Sequence, residues 1–495
     1  MNALIHCALE PGGVLLATID MPDKSMNVFS VELMDALDLL MDRVDADAAV
    51  QSVVLTSGKS SFLAGADLVM VRGYTEAAKT ADSDTLFEMC GRLGRQFLRL
   101  EASPKPWVAA VNGIALGGGM ELAMACRNRL VTDDLRTQIG VPEVRWGLLP
   151  GAGGTQRLPR LAGFDAAMDM LLSGRSIGPQ EAVSLGVFER VVPAAKLLHE
   201  ALATARTLQG QPYDAVSKFP QLAQSDVPPH NAATVRAIAT KHGVSDQDFA
   251  DYPAYSAIID SVLKGARLPL AQATALEMHQ FLRLMFNPVA GNMMRALFLE
   301  RLRAEKELAA PAGTDLQGVA VGAISTGRKT WVDALAKLKV QATVDASLPF
   351  DTLELIDKGG KQHRIALRIL ADAPEVVATP HMVLAPAGPY GRVIEIVAAP
   401  DDCVAVIALL ATRLRCLPWR TPGPASLLQR LRDLPLKEQT LVASAHAAKP
   451  GAGDPAFVDV AACLAGVTPA WSGGPLNFSL HSIPKGDQSV KTRIV

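Results

Sequence analysis

The sequence predicts an α/β protein of more than one domain, on three observations. Short apolar runs alternate with segments whose apolar residues recur at helical spacing. A glycine-rich turn joins one of those runs directly to a helix within 108–131. The 495 residues exceed one ordinary domain of roughly 100–200 residues. With 49% hydrophobic and 20% charged residues, the chain can bury a sizeable core.

Charge and composition narrow the function classes. A net charge of −2 gives no general attraction to nucleic acid or to an anionic membrane. The opening MNALIHCALEPGG has neither the basic start nor the long apolar stretch of a secretory signal. No apolar run approaches the ~18 residues of a membrane span. Six scattered cysteines contain no C-x-x-C, and nine histidines form no helical metal pair, so neither disulfides nor a metal site is expected. The expected location is the cytoplasm.

Taken in order, Val14–Ile19 and 52–56 read as buried strands around a helix at 31–44. Val31, Met34, Leu37, Leu40, Met41 and Val44 make its core stripe. A loop at 58–67 follows, with Asp67 placed to cap a helix. Segment 75–100 reads as mixed and partly helical, with the polarity of a lid or pocket wall. Trp107–Val111 is a strand, Asn112–Gly113 a turn, and Gly117–Gly118–Gly119 leads into a helix starting near Met120. Bare glycine backbone at a helix start lets a ligand approach free N–H groups at the positive end of the dipole. Such a turn suits a developing oxyanion. Glu121 lies beside it, although an acid in a first turn also serves as a dipole partner. Glu143 follows Pro142 in an otherwise apolar, glycine-rich segment, where burial would tune its protonation. Helices at 164–173 and 179–185 close this unit near Pro193.

Three motifs in register carry a family resemblance: Ala64-Gly65-Ala66-Asp67, the run from Asn112 to Glu121, and Pro142-Glu143 with Gly147 to Leu158. Together they resemble the crotonase (enoyl-CoA hydratase/isomerase) family over about 14–193. The long LLPGAGGTQRLPRL form, with Asp23 to Asn27 upstream, is similar to the hydratase domain of multifunctional β-oxidation enzymes. The resemblance implies a spiral of ββα units and a CoA thioester whose carbonyl oxygen lies between the N–H groups of Ala66 and Gly118. It implies Glu121 and Glu143 as the catalytic pair, and Ala64, Gly65, Asp67 and Gly117 as substrate-binding positions. Thioester polarisation needs preorganised donors, and addition of water needs an acid and a base close together, which agrees with both glutamates being present.

Beyond this unit the chain divides into a helical linker at 196–310, a dinucleotide-binding-like region at 311–420 and a helical remnant at 421–495. In the linker, 209–230 reads as a loop, while 251–264 and 272–307 read as helices. Met278, Leu282, Met285 and Phe286 form a stripe suited to packing on the first domain. A strand and turn at 319–327 and a second strand ending at Asp345 have a dinucleotide-binding layout. Its fingerprint is degenerate: Gly322 and Gly327 flank Ile324, where glycine is wanted, and Asp345 ends the second strand. Pro386, 393–396, Pro422-Gly423 with Arg430, and 466–475 resemble the dehydrogenase part of the same multifunctional enzymes, in shortened form. The family's catalytic histidine aligns near Met382, one residue from His381, and Glu395 matches its partner acid.

The resulting expectation is a 2-enoyl-CoA hydratase of fatty-acid β-oxidation that needs no cofactor and carries a truncated Rossmann-like, helical tail unsuited to NAD. Isomerisation of 3-enoyl-CoA could use the same Glu143. The alternatives are a bifunctional hydratase and NAD-dependent 3-hydroxyacyl-CoA dehydrogenase, or a tail that acts as a scaffold. Family resemblance implies a homo-oligomer or a thiolase-like partner subunit.

Overall fold

A computed structural model describes residues 4–22, 24–214, 218–223, 225–326, 329–336, 342–373, 379–385 and 390–480. Internal contacts divide the chain into units 1–291 and 292–495.

In the first unit β1 (Ile5–Glu10) and β2 (Val14–Ile19) form an antiparallel hairpin. β1 is half-exposed and carries no apolar run, so the sequence reading passes over it. Helix α1 (Val31–Ala46) is capped by Ser30, whose hydroxyl accepts the Leu33 N–H, and buries Leu33, Met34, Leu37, Leu40, Met41 and Val44. β3 (Ser52–Ser57) then lies parallel to β2. Segment 75–100, expected to be mixed, is helical for most of its length. Helix α2 (Leu68–Ala77) starts at its cap Asp67, and α3 (Ser83–Glu101) buries Leu86, Phe97, Leu100 and Glu101. A cap at Asp82, which accepts the Thr85 N–H, sets the start of the longer helix.

β4 (Trp107–Val111) continues the parallel sheet, and β5 (Ala115–Leu116) turns off it into helix α4 (Gly118–Ala125). This helix starts two residues before the expected Met120. Its glycines fit because a Cβ on Gly119 would lie 2.2 Å from the Leu63 carbonyl oxygen. β6 (Asn128–Thr132), β7 (Ile139–Gly140), α5 (Gly154–Ala162), α6 (Phe164–Ser173), β8 (Ser176–Ile177), α7 (Pro179–Ser184), β9 (Arg190–Val192) and α8 (Leu197–Leu208) follow. The main sheet has the order β1-β2-β3-β4-β6-β9, and β5-β7-β8 form a small second sheet. Helix α8 covers Val14, Val54, Val108, Ala110 and Leu130 through Leu197, Ala201 and Ala205.

Helices at Pro253–Gly265 and Leu270–Met285 belong to the same unit, and the second packs on α3 and α5. The helical run expected at 272–307 is interrupted near Pro288, which cannot donate to the helix ladder, and by a π turn at Arg295–Leu299.

The second unit holds a sheet built from β10 (Leu316–Val321), β11 (Ala342–Val344), β12 (Thr352–Asp357), β13 (Gln362–Ile369), β14 (His381–Leu384), β15 (Val393–Val397) and β16 (Leu417–Thr421). The order is β11-β10-β12-β13-β14-β15-β16. β10 and β11 are parallel around a helix at Lys329–Leu335, as a dinucleotide fold begins. The hairpin β12–β13 and the pair β14–β15 are antiparallel, so the sheet is mixed. The helix Asp401–Arg413 buries Cys403, Val406, Ile407 and Leu410 in the unit's core, with short helices between Leu427 and Leu480 completing it. Gly327 and Pro386 lie outside the described residues.

Candidate active site

The short β5-β7-β8 sheet is the scaffold of the site. β5 pairs with β7, Leu63 bridges to Ala115, and the Gly117 N–H donates to the Gly140 carbonyl at 2.8 Å. The turns containing Gly65 and Gly117 therefore lie against each other. A Cβ on Gly117 would be 3.5 Å from the Gly65 Cα. Gly117 also has φ 52° and ψ −124°, a backbone shape that side chains resist.

Both expected oxyanion donors emerge from these turns. Phe29 bridges to Ala66 by accepting the Asp67 N–H and donating to the Gly65 carbonyl. That parallel pairing directs the intervening Ala66 N–H away from Phe29. Gly118 is the first residue of α4, where an N–H has no intrahelical acceptor. At the other end of α4, Lys218 Nζ donates to the carbonyls of Met124, Ala125 and Cys126. Burial lowers this lysine to about 7. Of the other expected binding positions, Ala64 donates its N–H to Asn27, and the Asp67 carboxylate caps α2 and pairs with Lys24 at 3.6 Å.

Glu121 and Glu143 come from different elements, α4 and a 3-10 turn at Pro142–Trp146. Glu121 is 2% exposed. Its Oε1 accepts the N–H groups of Ala152 (2.8 Å) and Gly154 (2.7 Å). Burial raises its proton affinity, which these two bonds and Arg157 oppose. A Cβ on Gly117 would lie 2.3 Å from Glu143 Oε1, so the bare glycine makes room for that carboxyl. Glu143 Oε2 is buried without a hydrogen-bond partner among the described residues. Burial and then the charges of Glu121 and Glu277 hold Glu143 well above the usual carboxylate range. Two carboxyls with raised proton affinity beside an N–H pair can relay a proton while a neighbouring oxygen gains charge.

The site holds a third buried carboxyl that motif reading missed. Glu277, on the helix Leu270–Met285, is fully buried and accepts the N–H groups of Gly153 (2.6 Å) and Thr155 (2.8 Å) and the Thr155 hydroxyl. Its signal in the sequence was a charge within the apolar stripe of Ala273, Met278, Phe281 and Leu282. Arg157 forms a buried pair with Glu101 at 3.2 Å and donates to the Ala152 carbonyl, while Arg160 donates to Gly265 and Leu268. The glycine-threonine-glutamine-arginine run is thus a dock between α3, α5 and the two helices of 253–285.

Burial and the charge of Glu121 push Glu277 up to about 8. A carboxyl that holds its proton in the folded state favours folding below its unfolded pKa and loses that contribution as pH rises through the folded value. Wild-type protein should therefore lose stability relative to Glu277→Gln between about pH 5 and about pH 8. Thermal melts of both proteins across that window check the sign, and a gap that stays constant would contradict it.

In the second unit, the dinucleotide-like turn is filled by the chain itself. The Gly322 N–H donates to the Thr352 carbonyl at 2.9 Å. A Cβ on Gly322 would lie 2.3 Å from the Pro349 carbonyl oxygen. Ser325 donates its N–H (2.8 Å) and its hydroxyl to the Asp351 carboxylate. Ile324 packs on the core, and Asp345 caps its own turn through Ser347. A pyrophosphate at this turn would compete with the Asp351 carboxylate for the Ser325 donors. Glu395 is fully buried and accepts from Thr421, Ser426, Leu427 and Leu428, and His381 Nδ1 lies 3.0 Å from the Thr379 carbonyl. Glu395 thereby fastens the start of the helix Leu427–Leu431 to the sheet.

Comparison with known proteins bears on the first unit most directly. Residues 10–248 match the family Enoyl-CoA hydratase/isomerase. The chain is similar to the fatty acid oxidation complex subunit alpha of Shewanella frigidimarina, 31% identical over 379 residues, which cover 74% of this chain and 52% of that protein. With the protein of that name from Shewanella amazonensis it is 33% identical over 361 residues, covering 72% and 49%. The chain spans about half the length of the curated relatives it matches. Among solved structures, an enoyl-CoA hydratase from Bacillus anthracis is 25% identical, with 61% of this chain and 96% of that one covered and a TM-score of 0.37.

Proposed function

We propose, from the match of residues 10–248 to the enoyl-CoA hydratase/isomerase family, that this chain adds water to 2-enoyl-CoA, giving 3-hydroxyacyl-CoA, in fatty-acid β-oxidation. The observation that carries the reading is the pair of buried carboxyls, Glu121 and Glu143, beside the back-to-back turns of Ala66 and Gly118. The two N–H groups hold the thioester oxygen and stabilise its charge as the enolate develops. Glu121, oriented by two N–H bonds on Oε1, uses its other oxygen to take a proton from the attacking water. Water oxygen bonds to Cβ, and Glu143, which holds its proton, delivers it to Cα. The same Glu143 could carry a proton between Cα and Cγ of a 3-enoyl-CoA, which would isomerise the double bond.

No NAD-dependent step is assigned to the second unit, because Asp351 occupies the donors that a dinucleotide requires. With short and long 2-enoyl-CoAs, absorbance at the enoyl-thioester band should fall at the same rate with or without NAD. Titration with NADH should give no saturable protein-to-nicotinamide energy transfer at micromolar concentration. An unchanged thioester band would defeat the hydratase reading, and 3-hydroxyacyl-dependent NADH production would overturn the second.

The relatives are named as subunits of a complex. By the same likeness we propose a partner for this chain, a second copy or a thiolase-like subunit. A measured mass equal to one chain, in the presence of such a subunit, would rule this out. The proposed location is the cytoplasm, whose reducing conditions suit six free thiols.

A further inference from the structure

Glu277 lies outside the catalytic pair, yet among the described residues all its hydrogen bonds reach the turn that orients Glu121. Successive N–H groups of 152–155 point alternately to two carboxyls. Ala152 and Gly154 donate to Glu121 Oε1 at 2.8 and 2.7 Å, while Gly153 and Thr155 donate to Glu277 at 2.6 and 2.8 Å. One short run of backbone is therefore held from both sides.

The turn has little room to relax. Gly153 has φ 99°, and a Cβ there would lie 1.8 Å from an Arg157 nitrogen. A Cβ on Gly154 would meet Pro150 at 2.6 Å and Glu121 Oε1 at 2.8 Å. Thr155 Oγ1 and Ser261 Oγ, 2.7 Å apart, extend the network to the helix Pro253–Gly265. Among the described residues Glu277 has no ion-pair partner, an expensive arrangement for a fully buried carboxyl. What a carboxyl supplies here is two acceptor oxygens for two neighbouring N–H groups.

We propose that Glu277 is a positioning residue for the hydration step, which holds the 152–155 turn so that Glu121 keeps its free oxygen aimed at the water. The inference rests on the reading of Glu121 as the group that activates water. It makes the helix Leu270–Met285, beyond the last of the sequence motifs, a working part of the hydratase site.

The test is a double-mutant cycle in the full-length protein. Glu277→Gln keeps the shape, but its amide nitrogen must face either the Gly153 or the Thr155 N–H, which a carboxyl's hydroxyl oxygen can accept and an amide nitrogen cannot. Misplacing an oriented group by a fraction of an ångström should lower kcat by about 10-fold to 10²-fold, with KM for 2-enoyl-CoA unchanged. In a Glu121→Gln background the same substitution should change kcat by less than about twofold, because the residue it positions is already disabled. Equal losses in both backgrounds, or a rise in KM with kcat intact, would overturn the proposal. Near-wild-type activity of Glu121→Gln alone would instead defeat the reading beneath it. Should Glu277→Gln fail to fold, Thr155→Ala decides. It removes one hydroxyl contact from Glu277 and should give a smaller, kcat-only loss that vanishes beside Glu121→Gln. An unchanged kcat in that variant counts against the proposal.

Discussion

Glu121→Gln and Glu143→Gln are each expected to lower the rate of hydration by ~10²-fold or more, the usual scale of a lost general acid or base being roughly 10²–10⁴. In Glu121→Gln the amide oxygen can still accept the N–H groups of Ala152 and Gly154, so the side chain should stay in place. The nitrogen then occupies the position that must accept a proton from water, and it cannot. Glu143 Oε2 has no hydrogen-bond partner among the described residues, so Glu143→Gln removes only the transferable proton. Burial and the neighbouring charges of Glu121 and Glu277 already disfavour ionised Glu143. That variant should therefore be at least as heat-stable as the wild type, which separates lost chemistry from lost structure. The double mutant should be little worse than either single one, because in the proposed mechanism the two carboxyls act on one water and one substrate. Near-wild-type turnover by either single variant would remove it from the assigned role.

The glycine turns and the two carboxyls beside them, Glu121 and Glu143, were legible because each lies inside a short local pattern. Gly117 must be bare for φ and for the Glu143 carboxyl, and three glycines at a helix start are visible in any linear reading. Glu277 lies 124 residues from Gly153, one of its donors, and no local spacing connects them. Its only trace was a charge on an apolar helix face, which is a question rather than an answer. The mixed second sheet was hidden for another reason: a short apolar run predicts a strand but not its direction. The antiparallel β12–β13 hairpin follows from the tight turn at Asp357 to Lys361, where the Asp357 carboxylate accepts the Gly359 and Lys361 N–H groups. Ile324 announced a weakened fingerprint, while Asp351, which takes the Ser325 N–H, lies outside the glycine spacing that a linear reading follows.

Gly118→Pro is expected to cost ~10²–10³ in kcat, the typical worth of one oxyanion donor. Proline suits the first position of a helix, where φ is already near its fixed value and the N–H lacks an intrahelical partner. The substitution therefore removes the donor while leaving α4 its later hydrogen bonds. A Cβ at 118 would stand 3.0 Å from the Phe29 ring, so that ring must shift by a few tenths of an ångström. Gly118→Ala meets the same ring but keeps its N–H, and so measures the steric part alone. If the geometry is right, the alanine protein retains most of its rate and the proline protein does not, with matching circular dichroism spectra. The loss should appear in kcat more than in KM, because in the proposed mechanism the N–H group serves the charge that develops on the thioester oxygen rather than the neutral ground state. A folded Gly118→Pro protein as active as Gly118→Ala would place the oxyanion donors elsewhere.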